Sequence, residues 1–88
     1  MKVVFKKSFL KELKKLDNKT LKNAVYNAII QAEEATQIQD IKNLKKLAGY
    51  DCYYRIRIGD YRIGLKQEGH TLYFVIIEHR KDIYKLFP

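Results

Sequence analysis

The sequence predicts a small α+β domain. An N-terminal strand leads into an antiparallel helical hairpin and then a three-stranded antiparallel meander. Together the strands form one mostly antiparallel sheet, and a short C-terminal helical turn closes the chain. Three observations predict this fold. Apolar and basic residues alternate through Tyr53–Ile58 and again through Tyr61–Leu65, on either side of Gly59-Asp60. That period marks two half-buried strands joined by a tight hairpin. Upstream, two segments repeat apolar residues at helical spacing. Downstream, Leu72 to Ile77 is apolar on both faces, as in a strand with neighbours on each side.

The elements follow in order. Val3, Val4 and Phe5 form a short first strand. Ser8 then caps a helix in which Phe9, Leu10, Leu13 and Leu16 recur at helical spacing, with lysines 6, 7, 11, 14 and 15 filling the other faces. Asp17-Asn18 breaks this helix. Leu21, Ala24, Val25, Ala28, Ile29 and Ala32 define a second one, opening near Asn18 or Thr20 and fading by Thr36. So short a link folds the two into a hairpin. Between Gln37 and Lys46, the spacing of Ile38, Ile41, Leu44 and Leu47 fits a helical turn or a loop with anchors. Leu47-Ala48-Gly49 turns the chain into the basic hairpin, and Glu68-Gly69 turns it into the Leu72–Ile77 strand, with Gly64 then opposite Tyr73. The tail from Glu78 to Pro88 reads as a strand exit and about one helical turn.

A two-residue loop at Gly59-Asp60 sets Ile58 against Tyr61, Arg57 against Arg62, Ile56 against Ile63 and Arg55 against Gly64. One face then carries Tyr54, Ile56, Ile58, Tyr61, Ile63 and Leu65, which the helices cover through Leu13, Leu16, Leu21, Val25 and Ile29. The other face carries Arg55, Arg57, Arg62 and Lys66, open to solvent and with no acid in the two strands to balance them. Like charges directly opposite one another destabilise a sheet. A chain that keeps them has an anion to place there, or else presents a solvated, edge-protecting face.

Composition narrows the anion. The 88 residues suit a single domain, residues 1–88, with a formal net charge of +8 that favours densely negative partners. Cys52 is the only cysteine, so no internal disulfide forms and a cytoplasmic location is expected. No apolar run approaches the ~20 residues of a membrane span. His70, His79 and Cys52 lack metal-ligand spacing, no acidic cluster suggests a cation site, and no glycine-rich phosphate loop precedes a Lys-Ser/Thr pair. Ser8, the only serine, lies far from either histidine in sequence, so a serine triad has no members. No metal or cofactor is expected.

What remains is guanidinium groups with tyrosines beside them. Guanidinium forks match phosphate oxygens, and RNA carries its own nucleophile in the 2′-hydroxyl. Cleaving RNA then requires alignment, a proton acceptor, a proton donor and charge stabilisation. Arg55, Arg57, Arg62, Arg80 and Tyr84 are the candidate catalytic residues, and Lys45, Lys46, Lys66 and Tyr53 the candidate RNA-binding residues. His79 is a minor candidate for acid or base.

In this order and spacing, the short strand, the helical hairpin, Leu47-x-Gly49, the 54–63 hairpin and His79-Arg80-x-x-x-Tyr84 resemble the RelE/ParE toxins of bacterial toxin–antitoxin systems. The resemblance spans nearly the whole chain. It implies a metal-independent endonuclease that cuts messenger RNA in the ribosomal A site. Arg55 and Arg57 correspond to two basic residues before the turn, Arg62 to the arginine on the scissile phosphate, Arg80 to a later arginine, and Tyr84 to a near-terminal general base. Ala48 departs from the pattern, since many relatives carry a basic residue there. The implied partner is a small, acidic antitoxin. A gyrase-poisoning toxin without nuclease chemistry and a plain nucleic-acid-binding module are the competing expectations.

Overall fold

The computed structural model describes all residues from Met1 to Pro88. Strand β1 (Lys2–Phe5) leads into helices α1 (Lys7–Lys15) and α2 (Lys19–Glu34), and a single 3₁₀ turn follows at Ile38–Asp40. Strands β2 (Leu44–Lys46), β3 (Tyr53–Ile58), β4 (Tyr61–Glu68) and β5 (Thr71–His79) come next, and α3 (Ile83–Leu86) closes the chain. The five strands form one sheet in the order β1-β5-β4-β3-β2. It is mixed: β1 runs parallel to β5, whereas the other pairs are antiparallel. The parallel pair is possible because α1 and α2 carry the chain across before the meander begins. β5, apolar on both faces, lies between β1 and β4.

The core lies between the sheet and the helices. Phe9, Val25, Ile56, Ile63, Leu65, Leu72 and Phe74 are buried in it. Leu13, Leu16, Leu21 and Ile29 are half-buried against the same cluster, as are Tyr54 and Tyr61. Phe5, Phe9 and Phe74 pack ring on ring where β1 passes into α1, with centroids 5.4–5.8 Å apart. The Asn18 side chain accepts the Leu21 N–H at 2.9 Å and caps α2.

Four expectations change. Ser8 does not cap α1; the helix begins two residues earlier than a Ser8 cap would set it, with Lys6 at its cap position, and the Ser8 hydroxyl donates to the Val75 carbonyl. The backbone of Lys6 is already tied to Phe74 at 2.9 Å, so the chain enters the helix directly from the sheet. Between Gln37 and Lys46 the chain makes both a helical turn and an additional strand. Asp40 accepts from Thr36 at 3.0 Å and from the Gln37 N–H at 3.3 Å to close the turn, and β2 then pairs with β3.

The third change is register at the second hairpin. Its two-residue loop is Gly69-His70, since Glu68 pairs with Thr71. Gly59 and Gly69 both have positive φ, 55° and 57°, at the first central position of their turns. That position is where a type II′ turn demands glycine. A bulge between Gly64 and Leu65 then sets Gly64 opposite Ile76, while Tyr73 pairs with Lys66. The ring over Gly64 belongs to Phe87: a Cβ built on Gly64 would lie 2.7–2.9 Å from its atoms. The fourth change follows from this contact. The basic face is roofed at one end by the C-terminal tail, where Ile83 is fully buried and Phe87 is 4% exposed.

Candidate nucleic-acid interface

Strand register arranges the face away from the helices in three rows. Arg57, Arg62 and Glu78 form one, Lys45, Arg55, Gly64 and Ile76 the next, and Tyr53, Lys66 and Tyr73 the third. The pairings of Arg57 with Arg62 and of Arg55 with Gly64 are those that the Gly59-Asp60 turn dictates.

Arg62 is held by its own turn. Its Nη1 donates to the carbonyls of Gly59 at 2.8 Å and Tyr61 at 2.9 Å, leaving Nη2 and Nε free to bind a ligand. Burial is the main influence lowering the pKa of its guanidinium, followed by the charges of Arg57 and Arg55; Tyr84 acts in the opposite sense and Arg80 adds to the lowering. The charges of Arg55, Arg57, Arg80 and Tyr84 thus all act on Arg62. Arg55 donates to the Asn43 carbonyl at 3.2 Å. Arg80 Nε lies 3.9 Å from the Asp60 carboxylate, and its backbone N–H donates to the Asp60 carbonyl at 2.7 Å, closing the hairpin tip against the exit of β5. No other arginine has a carboxylate within ion-pair range. Tyr84 opens the exposed side of α3 and is 59% exposed.

The remaining candidates are placed differently. Lys45 stands on the arginine face beside Arg55. Lys46 pairs with Tyr54, so it has the opposite parity, and its ammonium lies 3.9 Å from Asp51. Lys66 is ion-paired with Glu68 at 3.2 Å, a hydrogen bond that raises its pKa, and its ammonium sits 5.8 Å from the Tyr53 ring centroid. Tyr53 is packed edge-on against Tyr50 and Phe87, so its ring forms part of the tail anchor. His79 pairs with Tyr61 and stacks edge-on against that ring on the helix-facing parity, while its Nδ1 accepts the Lys81 N–H at 3.1 Å.

Two residues outside the sequence-derived set belong to this region. Glu78 stands in register with Arg62, yet its carboxyl turns toward Glu12 of α1; burial and that neighbour raise its pKa. Tyr50, 46% exposed, stands beside the tail anchor. Both depend on contacts between segments distant in sequence, and only the position of Tyr50 just after the Gly49 turn hinted at either.

A family model described as "ParE toxin of type II toxin-antitoxin system, parDE" matches residues 3–84. The chain is 40% identical to Toxin RelE3 of Methanocaldococcus jannaschii over 89 residues, covering all of both proteins. Its fold is similar to that of a RelB-RelE antitoxin-toxin complex from Methanococcus jannaschii, with a TM-score of 0.80, 37% identity, and 97% of this chain and 99% of that one covered. The fold is also similar to the intact E. coli RelBE toxin-antitoxin complex, at a TM-score of 0.70 and 21% identity, with 89% and 94% covered. Together with the arginine rows, the helical pair and the closing tail, these matches show that the chain belongs to the ParE toxin family of type II toxin–antitoxin systems.

Proposed function

We propose that this toxin is a RelE-type endoribonuclease that cuts messenger RNA on the ribosome and is held inactive by a cognate antitoxin. The observation that carries the reading is the placement of Arg57 opposite Arg62 with Arg55 in the next row, of Arg80 against Asp60 at the same hairpin tip, and of Tyr84 in one depression with Arg55. The similarity to Toxin RelE3 over the full chain supports the RelE branch.

The chemistry follows from the substrate. The ribose 2′-oxygen attacks the adjacent phosphorus, the phosphorus–5′-oxygen bond breaks, and a proton leaves the 2′-hydroxyl while another reaches the 5′-oxygen. Arg62 and Arg80 bind the phosphate and the negative charge that grows on it. Arg55 and Arg57 orient the strand and stabilise the leaving 5′-oxygen, which takes its proton from solvent water. Tyr84 takes the 2′-hydroxyl proton. The ribosome supplies the alignment that a shallow, open face does not.

The antitoxin has a surface to meet. Between α1 and α2 lies a groove of about 490 Å³ lined by Phe9, Leu10, Leu13, Val25, Tyr26 and Ile29, with Lys14, Lys22 and Glu33 its charged residues. An amphipathic antitoxin helix with acidic flanks fits that mixture.

Expression of the protein in cells tests the reading: growth arrests, and primer extension finds cuts within translated codons. The matching family model is named for ParE toxins, and the gyrase-poisoning alternative raised by the sequence resemblance is therefore the second reading. DNA damage and supercoiling defects with intact messenger RNA would favour it.

A further inference from the structure

A second depression, of about 500 Å³, lies at the edge of the arginine face between β2, the Leu47–Tyr50 bend and the C-terminal tail. Its volume lies within the roughly 300–1,000 Å³ range of small-molecule pockets. Leu47, Ala48 and Phe87 make its walls apolar, while Lys45 and Arg55 make its rim cationic. A flat apolar slot with cations beside it matches a nucleobase joined to a phosphate.

Tyr50 supplies the slot's exposed aromatic wall. Its ring stands edge-on to Tyr53, with centroids 5.6 Å apart and planes at 86°. Tyr53 in turn stands edge-on to Phe87, at 5.4 Å and 89°. Tyr53 and Phe87 thus brace the Tyr50 ring in series, and its backbone N–H donates to the Leu47 carbonyl at 3.3 Å to close the bend. Ala48, which also lines the depression, adds only a methyl group to its wall. The depression shares Arg55 and Tyr84 with the candidate catalytic cluster, so a strand held there by its phosphate reaches the slot with a neighbouring base.

We propose that this depression is the subsite for one unpaired RNA base beside the cleaved phosphate, with Tyr50 as its stacking platform and Lys45 and Arg55 on the adjoining phosphate. The inference rests on the endoribonuclease reading and gives that site a base-binding pocket.

The test titrates the protein with an RNA trinucleotide carrying 2′-methoxy groups against cleavage, and with versions abasic at each position in turn, followed by NMR. The Tyr50 ring and Ala48 methyl signals should shift with the full trinucleotide and lose that shift at one abasic position, where affinity falls roughly tenfold. Tyr50→Ala should lose a similar factor toward the full trinucleotide while binding the abasic one as the parent does, and Tyr50→Phe should retain the parent's preference. Ala48→Trp, which adds an indole to the lining of the depression, should abolish the preference without removing the Tyr50 ring. Equal response to full and abasic trinucleotides would assign the depression to phosphate alone and overturn the proposal. So would equal affinity of the parent and Tyr50→Ala. If Tyr50→Ala still cuts messenger RNA at the parent's positions and frequencies, the base subsite fails while the endoribonuclease reading stands. Absence of any cutting by the parent counts against that reading itself.

Discussion

Arg62 has two kinds of partner, and they predict separable effects. Its bonds to the Gly59 and Tyr61 carbonyls hold the hairpin tip, each worth about 0.5–1.5 kcal/mol of stability. Its Nη2 and Nε make no hydrogen bond within the protein, and Arg57 stands opposite it across the hairpin. Arg62→Ala is therefore expected to leave a folded protein by circular dichroism while lowering cleavage about 10²–10³-fold. Arg62→Lys keeps the charge but loses the fork and should recover only part of that loss. Glu78 behaves in the opposite manner. Its pKa is raised by burial first and by Glu12 next, so folding favours its neutral form. The stability associated with that form is present at low pH and is lost as pH rises through the raised value. Glu78→Gln should thus gain thermal stability over the parent at neutral pH, with the gap closing as pH falls toward the ordinary glutamate range. The arginines were legible in sequence because alternation and a glycine-led turn fix parity locally. The environment of Glu78 was not, because it depends on how α1 settles against the end of β5.

At the scale of elements, the tail, β3 and β4 form one device. Gly64 leaves room for the Phe87 ring, Phe87 braces Tyr53, and the turn between them and His79 presents Tyr84. Gly64→Ala should cost about 1–3 kcal/mol by overpacking and should reduce cleavage by misplacing Tyr84. The same substitution in a Phe87→Ala background should cost far less, since the obstructing ring is gone. A double-mutant cycle by chemical denaturation measures this coupling, and additivity would argue against the device. The helices and the two long hairpin strands were legible from period alone. β2 was not, because three residues are too few to display alternation, and its strand character comes from pairing with β3. The second turn was misplaced by one residue for want of the rule that the first turn obeys: glycine leads. The bulge then compounded the slip, because an extra residue in β5 leaves no trace in the hydrophobic pattern.

For the whole molecule, an arginine face and an apolar groove on opposite sides of one sheet, in a chain of net charge +8, suit two partners. The arginine face should bind single-stranded RNA with strong salt dependence, and loss of one phosphate-binding arginine should reduce the log–log slope by about 0.7. The helical face should bind the antitoxin, and a complex at 100 times its dissociation constant gains about 2.7 kcal/mol. For a domain of this size, that gain corresponds to a rise of roughly 10–20 °C in melting temperature. Leu13→Glu in the groove should diminish the rise without altering salt-dependent RNA binding. The central claim is that the arginine cluster cuts RNA rather than merely binding it. Primer extension on messenger RNA from cells expressing the parent or Arg62→Ala at equal protein levels tests this most directly. The account predicts cuts within translated codons for the parent and their loss in Arg62→Ala; undiminished cutting by Arg62→Ala, or growth arrest by the parent with intact messenger RNA, would contradict it.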